Sequence, residues 1–138
     1  MFERCLYFNS QNLARTVARI WTEEFSQYDL SPPHAYLLRL VLQKPGLLQR
    51  EIASELGLSR STVTRFIDSL EERGFLKRKS GTTDGREQAI YPARKAVTIA
   101  PQLEASGERL YREMQRIIGA DQLQSFVSEM RKMQSELG

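Results

Sequence analysis

The sequence has very few of the residues that build disulfides, metal sites and membrane spans. Its 138 residues include one cysteine, Cys5, and one histidine, His34. A single cysteine cannot form an internal disulfide, and this pair cannot supply the four ligands of a structural zinc site. The longest apolar run, 36–42, is interrupted by Arg39 and is far shorter than the roughly 20 residues that cross a bilayer. We therefore expect no metal and no membrane span.

Patterns typical of catalysis are also missing. The sequence has no glycine-rich phosphate loop, no metal-binding spacing of His and Glu, and no paired catalytic carboxylates. We therefore expect no enzymatic activity and no cofactor. Residues 1–15 carry an acid and several polar groups where a signal peptide has a continuous apolar region, which predicts a cytoplasmic protein.

The positive charge of the chain is concentrated in one stretch. The whole sequence has 20 basic and 17 acidic residues. Residues 60–95 alone contain nine basic and five acidic groups, so the entire positive excess lies there. A basic patch on a nearly neutral chain predicts a polyanionic partner bound at a defined place.

Hydrophobic periodicity predicts a mainly α protein with a small β hairpin. Apolar residues three, four or seven apart predict a helix over about Leu6–Tyr28,. Ser31, as an N-cap ahead of two prolines, predicts a second helix from Pro32 to about Gln43. Both are amphipathic, so each has one face to bury.

The C-terminal part of the chain has a similar helical pattern. After Pro92, a heptad-like seam predicts a long helix to about Ile118, with a kink at Pro101. A last helix is predicted to begin at Asp121. Because the terminal helices are more apolar than a small monomer needs, we expect them to pair with a second copy in a homodimer.

The central segment, Gln49 to Tyr91, has the most specific pattern. Helices are predicted over Gln49–Leu56 and Arg60–Arg73, with Gly57 in the turn between them. Strands are predicted over Phe75–Ser80 and Arg86–Tyr91, joined by a turn at residues 81–85. Two helices and a tight turn, followed by a basic hairpin, predict a winged helix-turn-helix.

The second of these helices presents hydroxyls and arginines on the face opposite its apolar stripe, which suits a DNA groove. The residues of this helix expected to contact DNA are Ser59, Arg60, Ser61, Thr62, Thr64 and Arg65. In the hairpin, the basic run Lys77, Arg78 and Lys79 is expected along the DNA backbone, and Arg86 near a minor groove. The alternative is that Ser59 and Thr62 only cap the helix, that Arg65 pairs with Glu72 or solvent, and that the basic run is a solvated face.

The sequence LLQREIASELGLSRSTVTRFIDSLEERGFLKR at residues 47–78, with Asp84-Gly85-Arg86, resembles the MarR family of winged helix-turn-helix transcriptional regulators. The resemblance implies that the second helix reads a major groove, that Asp84 shapes the wing and that Arg86 enters a minor groove. It also implies an N-terminal dimerisation helix (1–30), a DNA-binding domain (31–92) and C-terminal dimerisation helices (93–138) within one compact domain. The chain departs from the family after the wing, where Pro92-Ala93-Arg94-Lys95-Ala96 replaces the usual Leu-Thr-x-x-Gly, so the start of the long helix stays open.

These features predict a sequence-specific regulator that binds double-stranded DNA, acting as a homodimeric repressor on a pseudo-palindromic operator. The alternative is a winged helix that binds another protein, since a fold does not determine a function. A protein-binding version would show apolar groups on the exposed face of the second helix. The Arg, Ser and Thr side chains found there favour DNA.

The resemblance also implies relief of repression by a small aromatic ligand or an oxidant. Residues expected near a ligand pocket are Trp21, Phe25, Tyr28, His34, Tyr36 and Arg39; the alternative is that these aromatics belong to the core. Cys5 precedes the first long helix, where the peroxide-sensing branch of the family has its reactive cysteine. A helix N-terminus favours a reactive thiolate, and the alternative is an inert thiol.

Overall fold

A computed structural model of the chain describes residues 1–80 and 87–138. In chain order its elements are α1 (Leu6–Phe25), a short 3-10 helix (Ser26–Tyr28), α2 (Pro32–Gln43), β1 (Leu47–Leu48), α3 (Gln49–Leu56), α4 (Arg60–Glu72), β2 (Leu76–Ser80), β3 (Gln88–Pro92), α5 (Arg94–Ile118) and α6 (Ala120–Leu137). The predicted class, mainly helical with a small β wing, is confirmed. The predicted turn at 81–85, with Asp84 and Arg86, lies outside the described residues.

The helix boundaries follow local capping chemistry. Ser31 caps α2 by accepting a hydrogen bond from the His34 amide, and prolines occupy the first turn, where a missing N–H costs nothing,. Gly57 ends α3 in the left-handed conformation, with a φ of 65°,. The prediction that the first helix reaches Tyr28 is wrong by one turn, because the chain tightens into a 3-10 turn after Phe25 and stops at Asp29, whose φ is 56°.

The sheet has three antiparallel strands in the order β1-β3-β2. Leu47 pairs with Ile90, and Leu76 pairs with Pro92. β1 was not predicted, because two residues carry no periodicity. Phe75 precedes β2 instead of starting it, and Pro92 is the last residue of β3 instead of lying beyond it. A proline is tolerated at this strand end, and the ladder continues one residue further, since the Ala93 amide donates to the Phe75 carbonyl at 2.8 Å,.

The chain forms two compact units, Met1–Glu104 and Ala105–Gly138. The first unit has a core of fully buried side chains from α2, α3, α4 and β3: Leu37, Leu38, Val41, Ile52, Val63, Ile67, Leu70 and Ile90. Three of these lie on α4 and fix which face of that helix is outside. Phe66, which precedes Ile67 on the same helix, is only half-buried.

The second unit consists of the rest of α5 and α6, with Leu110 and Leu123 buried. Pro101 lies inside α5 without ending it, and the kink predicted there stays a prediction. No helix among the described residues combines the length and the apolarity that crossing a membrane requires.

Candidate nucleic-acid interface

The N-terminus of α4 is held by a network of hydroxyl groups. The Ser59 Oγ accepts a hydrogen bond from the Thr62 amide at 3.2 Å and donates to the Thr62 Oγ1 at 2.8 Å. The Ser61 Oγ lies 3.2 Å from the Ser59 Oγ. Ser59 therefore caps α4, as the alternative predicted, whereas Thr62 supplies the capped amide. Contact of either residue with DNA stays a prediction.

The two arginines predicted to contact DNA are exposed on α4. Arg60 opens the helix and Arg65 lies five residues later, and both are solvent-exposed. Of the two predicted alternatives for Arg65, the ion pair with Glu72 is not formed, and the side chain faces solvent. Among the described residues, neither arginine has an ion-pair partner, so both guanidinium groups are available to an anion.

A third side chain stabilises this surface from α3. The Gln49 Nε2 donates to the Thr64 Oγ1 at 3.3 Å, and that hydroxyl in turn donates to the Arg60 carbonyl at 2.9 Å. The Thr64 rotamer is therefore held by two partners. Sequence reasoning missed Gln49; the signal that could have found it is its position as the first residue of α3, the helix that precedes α4.

A cleft of about 200 Å³ opens beside these residues. Its lining comes from the end of β1, the N-terminal parts of α3 and α4, and the chain entering β3: Leu48, Gln49, Arg50, Arg60, Thr64, Glu87 and Gln88. An ion pair of 3.3 Å joins Arg50 to Glu87 and ties α3 to the base of the wing. The cleft is polar and carries Arg60 on one wall.

The predicted basic run of the wing divides between two faces of β2. Lys77 and Lys79 are exposed, and the Lys79 Nζ lies 4.8 Å from the centre of the Tyr91 ring. Arg78 points to the other face, because side chains alternate along a strand. Its guanidinium is 2.6 Å from the Glu71 carboxylate and 2.5 Å from that of Asp68, and its side chain is only 16% exposed. The prediction that Arg78 lies along the DNA backbone with its neighbours does not fit this placement.

The predicted ligand residues form one cluster without His34. This aromatic cluster consists of Trp21, Phe25, Tyr28 and Tyr36 with Arg39. The Trp21 Nε1 donates to the Tyr36 hydroxyl at 3.1 Å, and the fully buried Phe25 ring lies 5.8 Å from the Tyr36 ring and 6.2 Å from that of Tyr28. The predicted core role of these aromatics is therefore met at Phe25, while Trp21 and Tyr28 stay half-buried.

Two polar contacts connect the aromatic cluster to α5. The Arg39 guanidinium stacks 4.9 Å from the centre of the Tyr36 ring and donates to both Glu104 carboxylate oxygens at 3.1 Å. These hydrogen bonds from Arg39 lower the pKa of Glu104. The Tyr28 hydroxyl donates to the Gln102 carbonyl at 2.9 Å. The cluster thus joins α1, α2 and the first half of α5.

His34 lies apart from this cluster because it is two residues from Tyr36 on α2, and such residues face different sides of a helix. Its ring packs edge-on against Phe66 of α4 at 4.6 Å, and its Nδ1 lies 2.7 Å from the Ser31 Oγ. Burial lowers the pKa of His34, and the positive charge of Arg73 adds to this effect. The histidine therefore contributes a packing contact between α2 and α4.

Cys5 is the N-cap of α1. Its Sγ accepts a hydrogen bond from the Phe8 amide at 3.4 Å, and its side chain is half-buried. This is the helix N-terminal position predicted from the sequence. In the part of the chain that the structure describes, no group of three or more His, Cys, Asp and Glu side chains is arranged to hold a metal ion.

Residues 28–87 match the family model described as MarR family. A relative from Bacillus subtilis strain 168, the uncharacterized HTH-type transcriptional regulator YybA, is 29% identical over 97 residues, which cover 70% of this chain and 64% of the relative. The chain thus aligns with slightly less than two thirds of YybA. The HTH-type transcriptional regulator MgrA of Staphylococcus aureus is 26% identical over 106 residues, 76% of this chain and 72% of MgrA.

The fold is also found among solved structures. The S. aureus MepR–DNA complex superimposes with a TM-score of 0.88, covering 99% of this chain and 100% of MepR at 17% sequence identity. At that identity the likeness concerns the fold. A winged helix-turn-helix with flanking helices is therefore observed both in the described residues and in a solved structure.

Proposed function

From the match of residues 28–87 to the MarR family model, we propose that the chain is a member of that family and a sequence-specific DNA-binding transcriptional regulator. It acts in the cytoplasm, without enzymatic activity, as a homodimeric repressor that covers a promoter. The observation that carries the proposal is the outer face of α4, where Arg60 and Arg65 are exposed without ion-pair partners among the described residues.

The chemistry of this face suits a major groove. Arginine donates a fork of hydrogen bonds to the guanine edge or to phosphate, and hydroxyls donate to phosphate or accept from bases. The Ser59 cap and the Gln49–Thr64 hydrogen bond hold the short side chains in place before DNA arrives, so little conformational entropy is lost on binding. Lys77 and Lys79 add exposed positive charge from the wing, suited to phosphates.

In a homodimer, the two copies of α4 contact the two halves of a palindromic DNA site. In dimeric helix-turn-helix proteins the recognition helices enter successive major grooves about 34 Å apart. We propose this arrangement here, with Asp84 and Arg86 of each wing at the adjacent minor groove as the resemblance implies. Occupation of such a site blocks the promoter.

Relief of repression is assigned to two places in the chain. The aromatic cluster offers ring faces and the Arg39 cation to a small aromatic ligand, and its contacts with Gln102 and Glu104 would transmit a rearrangement to α5. Cys5 offers a thiol to an oxidant at the N-terminus of α1. Each assignment has its own test: DNA release by aromatic carboxylates, lost in Arg39→Ala, and DNA release by peroxide, lost in Cys5→Ser.

One experiment tests DNA binding and palindromy together. The purified chain selects duplexes from a random DNA pool, with and without peroxide, and the enriched sequences are read. We expect a pseudo-palindrome whose half-sites are about one helical turn apart. If no sequence is enriched while the protein captures a protein partner through α4, the protein-binding alternative is correct.

Substitution of Arg65 tests the reading face directly. Arg65→Ala removes a partner of a base edge or phosphate and should weaken binding to the selected duplex by about 1–3 kcal/mol, as measured by fluorescence anisotropy. The control is Arg112→Ala, which removes an exposed arginine from the second unit. Equal affinity of the wild type and Arg65→Ala for the selected duplex would show that α4 does not contact the bases through this face.

A further inference from the structure

We propose that Arg78 is a positioning residue of the recognition helix and not a DNA contact, an inference that rests on the proposed function. Its guanidinium joins β2 of the wing to α4 through Asp68 and Glu71. In this way one arginine sets the angle between α4, which reads DNA, and β2, which holds Lys77 and Lys79.

The register of the sheet places Arg78 on the core side of the wing. Arg78 pairs with Ile90, which is fully buried, and it lies two residues from Leu76, which is 3% exposed. Residues two apart share a face of a strand, whereas Lys77 and Lys79 lie on the opposite face. A side chain on the core face cannot follow its neighbours onto a DNA backbone.

The two carboxylates that receive Arg78 lie on successive turns of α4. Asp68 and Glu71 are three residues apart, a spacing that places both on one side of the helix. Arg78 contacts Asp68 through one terminal nitrogen and Glu71 through the other. A guanidinium is planar and rigid, so a fork that holds two turns resists both rotation and sliding of the helix.

The same contacts neutralise acids beside the reading face. Asp68 follows Arg65 by three residues, and its side chain is 59% exposed. An uncompensated carboxylate at this place would repel a phosphate that approaches Arg65. Arg78 supplies the missing positive charge from behind the helix, where DNA does not need to displace it.

Stability alone does not explain this arrangement. The Arg78 Nε is buried and makes no hydrogen bond within the described part of the chain. An unsatisfied buried donor costs free energy. The side chains of Asp68 and Glu71 are 59% and 40% exposed, so water can solvate both carboxylates once the guanidinium is removed. Arg78→Met is therefore expected to keep the fold and to lose the helix placement.

The test uses the duplex selected by the wild-type protein and an unrelated duplex of equal length, with salt varied from roughly 50 to 200 mM. In Lys77→Ala, the loss of a phosphate contact should weaken both duplexes alike and reduce the slope of log affinity against log salt by about 0.9. In Arg78→Met, the preference for the selected duplex should fall about tenfold. The two carboxylates left without their partner should also weaken both duplexes, but the salt slope should change much less than in Lys77→Ala, because no phosphate contact is lost. Circular dichroism and thermal melting check that each variant is folded.

A double-mutant cycle with Asp68→Asn separates the two roles further. Two residues that act through each other are not additive, so Arg78→Met should cost much less in the Asp68→Asn background than in the wild type. If Arg78 touches DNA, its loss costs the same in both backgrounds and lowers the salt slope as Lys77→Ala does. That pair of results would overturn the proposal while leaving the proposed function intact.

Two further outcomes are informative. If Arg78→Met does not fold, Arg78→Lys replaces it, because lysine keeps the charge but cannot bridge two carboxylates with a rigid fork. Its expected result is the same loss of preference at unchanged slope. A wild-type protein that binds no duplex refutes the proposed function, and with it any role of Arg78 in placing a reading helix.

Discussion

At the scale of single residues, Ser59 has a structural role and a proposed binding role that substitution can separate. Ser59→Ala removes the acceptor of the Thr62 amide and should lower the free energy of unfolding by about 1 kcal/mol. Ser59→Asp restores an acceptor, and its charge suits a helix N-terminus, so stability should return. DNA affinity should fall in Ser59→Asp, because a carboxylate now faces phosphate.

Urea denaturation and anisotropy titrations measure these two effects. Ser128→Ala is the matched control, since Ser128 is exposed within α6 and caps no helix. A Ser59→Asp variant that binds DNA as tightly as the wild type would show that this end of α4 does not approach the backbone.

His34 provides a pH dependence of known sign. Burial, together with the charge of Arg73, lowers its pKa from 6.5, so the folded protein holds the neutral ring at pH values where the unfolded chain already binds a proton. Stability from this group is therefore complete above pH 6.5 and is lost as the pH falls toward the lower folded pKa. The wild type should lose more stability between pH 7.5 and 5.5 than His34→Gln does.

Chemical denaturation at the two pH values measures the difference. The comparison is clean because His34 is the only histidine of the chain, and the pKa of Glu104 is shifted downward, away from this range. An identical loss in His34→Gln would mean that the ring is not responsible for the acid sensitivity.

At the scale of elements, periodicity and caps were sufficient for the helices but not for the sheet. Ser31 with its prolines and Gly57 placed α2 and the end of α3 correctly, because these signals act within one turn. β1 could not be predicted, since its two residues form a strand only by pairing with Ile90 and Ala89, more than forty residues away in the sequence. The end of β3 was placed one residue too early, before Pro92, for the same reason. Pro92 is part of the strand because it pairs with Leu76, and the local sequence does not reveal this pairing.

The candidate site shows the same division between local and long-range information. Exposure of Arg60 and Arg65 follows from the apolar stripe of α4 and was predictable from the sequence. The role of Arg78 was not predictable. Lys77, Arg78 and Lys79 are all basic, so the sequence does not reveal which of them points to the core side of the strand until the sheet register is known. His34 was grouped with Tyr36 by proximity in sequence, although the helix turns them to different sides.

At the scale of the whole molecule, each unit exposes an apolar stripe along a helix. In the first unit, α1 exposes Leu6, Leu13 and Val17; in the second, α6 exposes Phe126, Met130, Met133 and Leu137. Spacings of three, four and seven residues place each set on one face of its helix. Contiguous apolar faces of this kind are costly to hydrate and mark interaction surfaces, which supports the proposed homodimer.

Charges placed on these stripes should therefore separate the dimer and abolish operator binding together. Leu13→Glu with Val17→Glu, or Met130→Glu with Met133→Glu, should give a monomer at micromolar concentration by sedimentation velocity, because burial of the carboxylates is expensive. In the dimer, binding of one α4 raises the effective concentration of the other at the second half-site. A monomer lacks this gain, so its affinity for the operator should be lower than that of the dimer by at least roughly 100-fold. The control, Gln11→Glu with Thr22→Glu, places the same charges on the opposite face of α1 and should leave both the dimer and DNA binding unchanged. A monomeric variant with full affinity would show that one copy reads the operator alone.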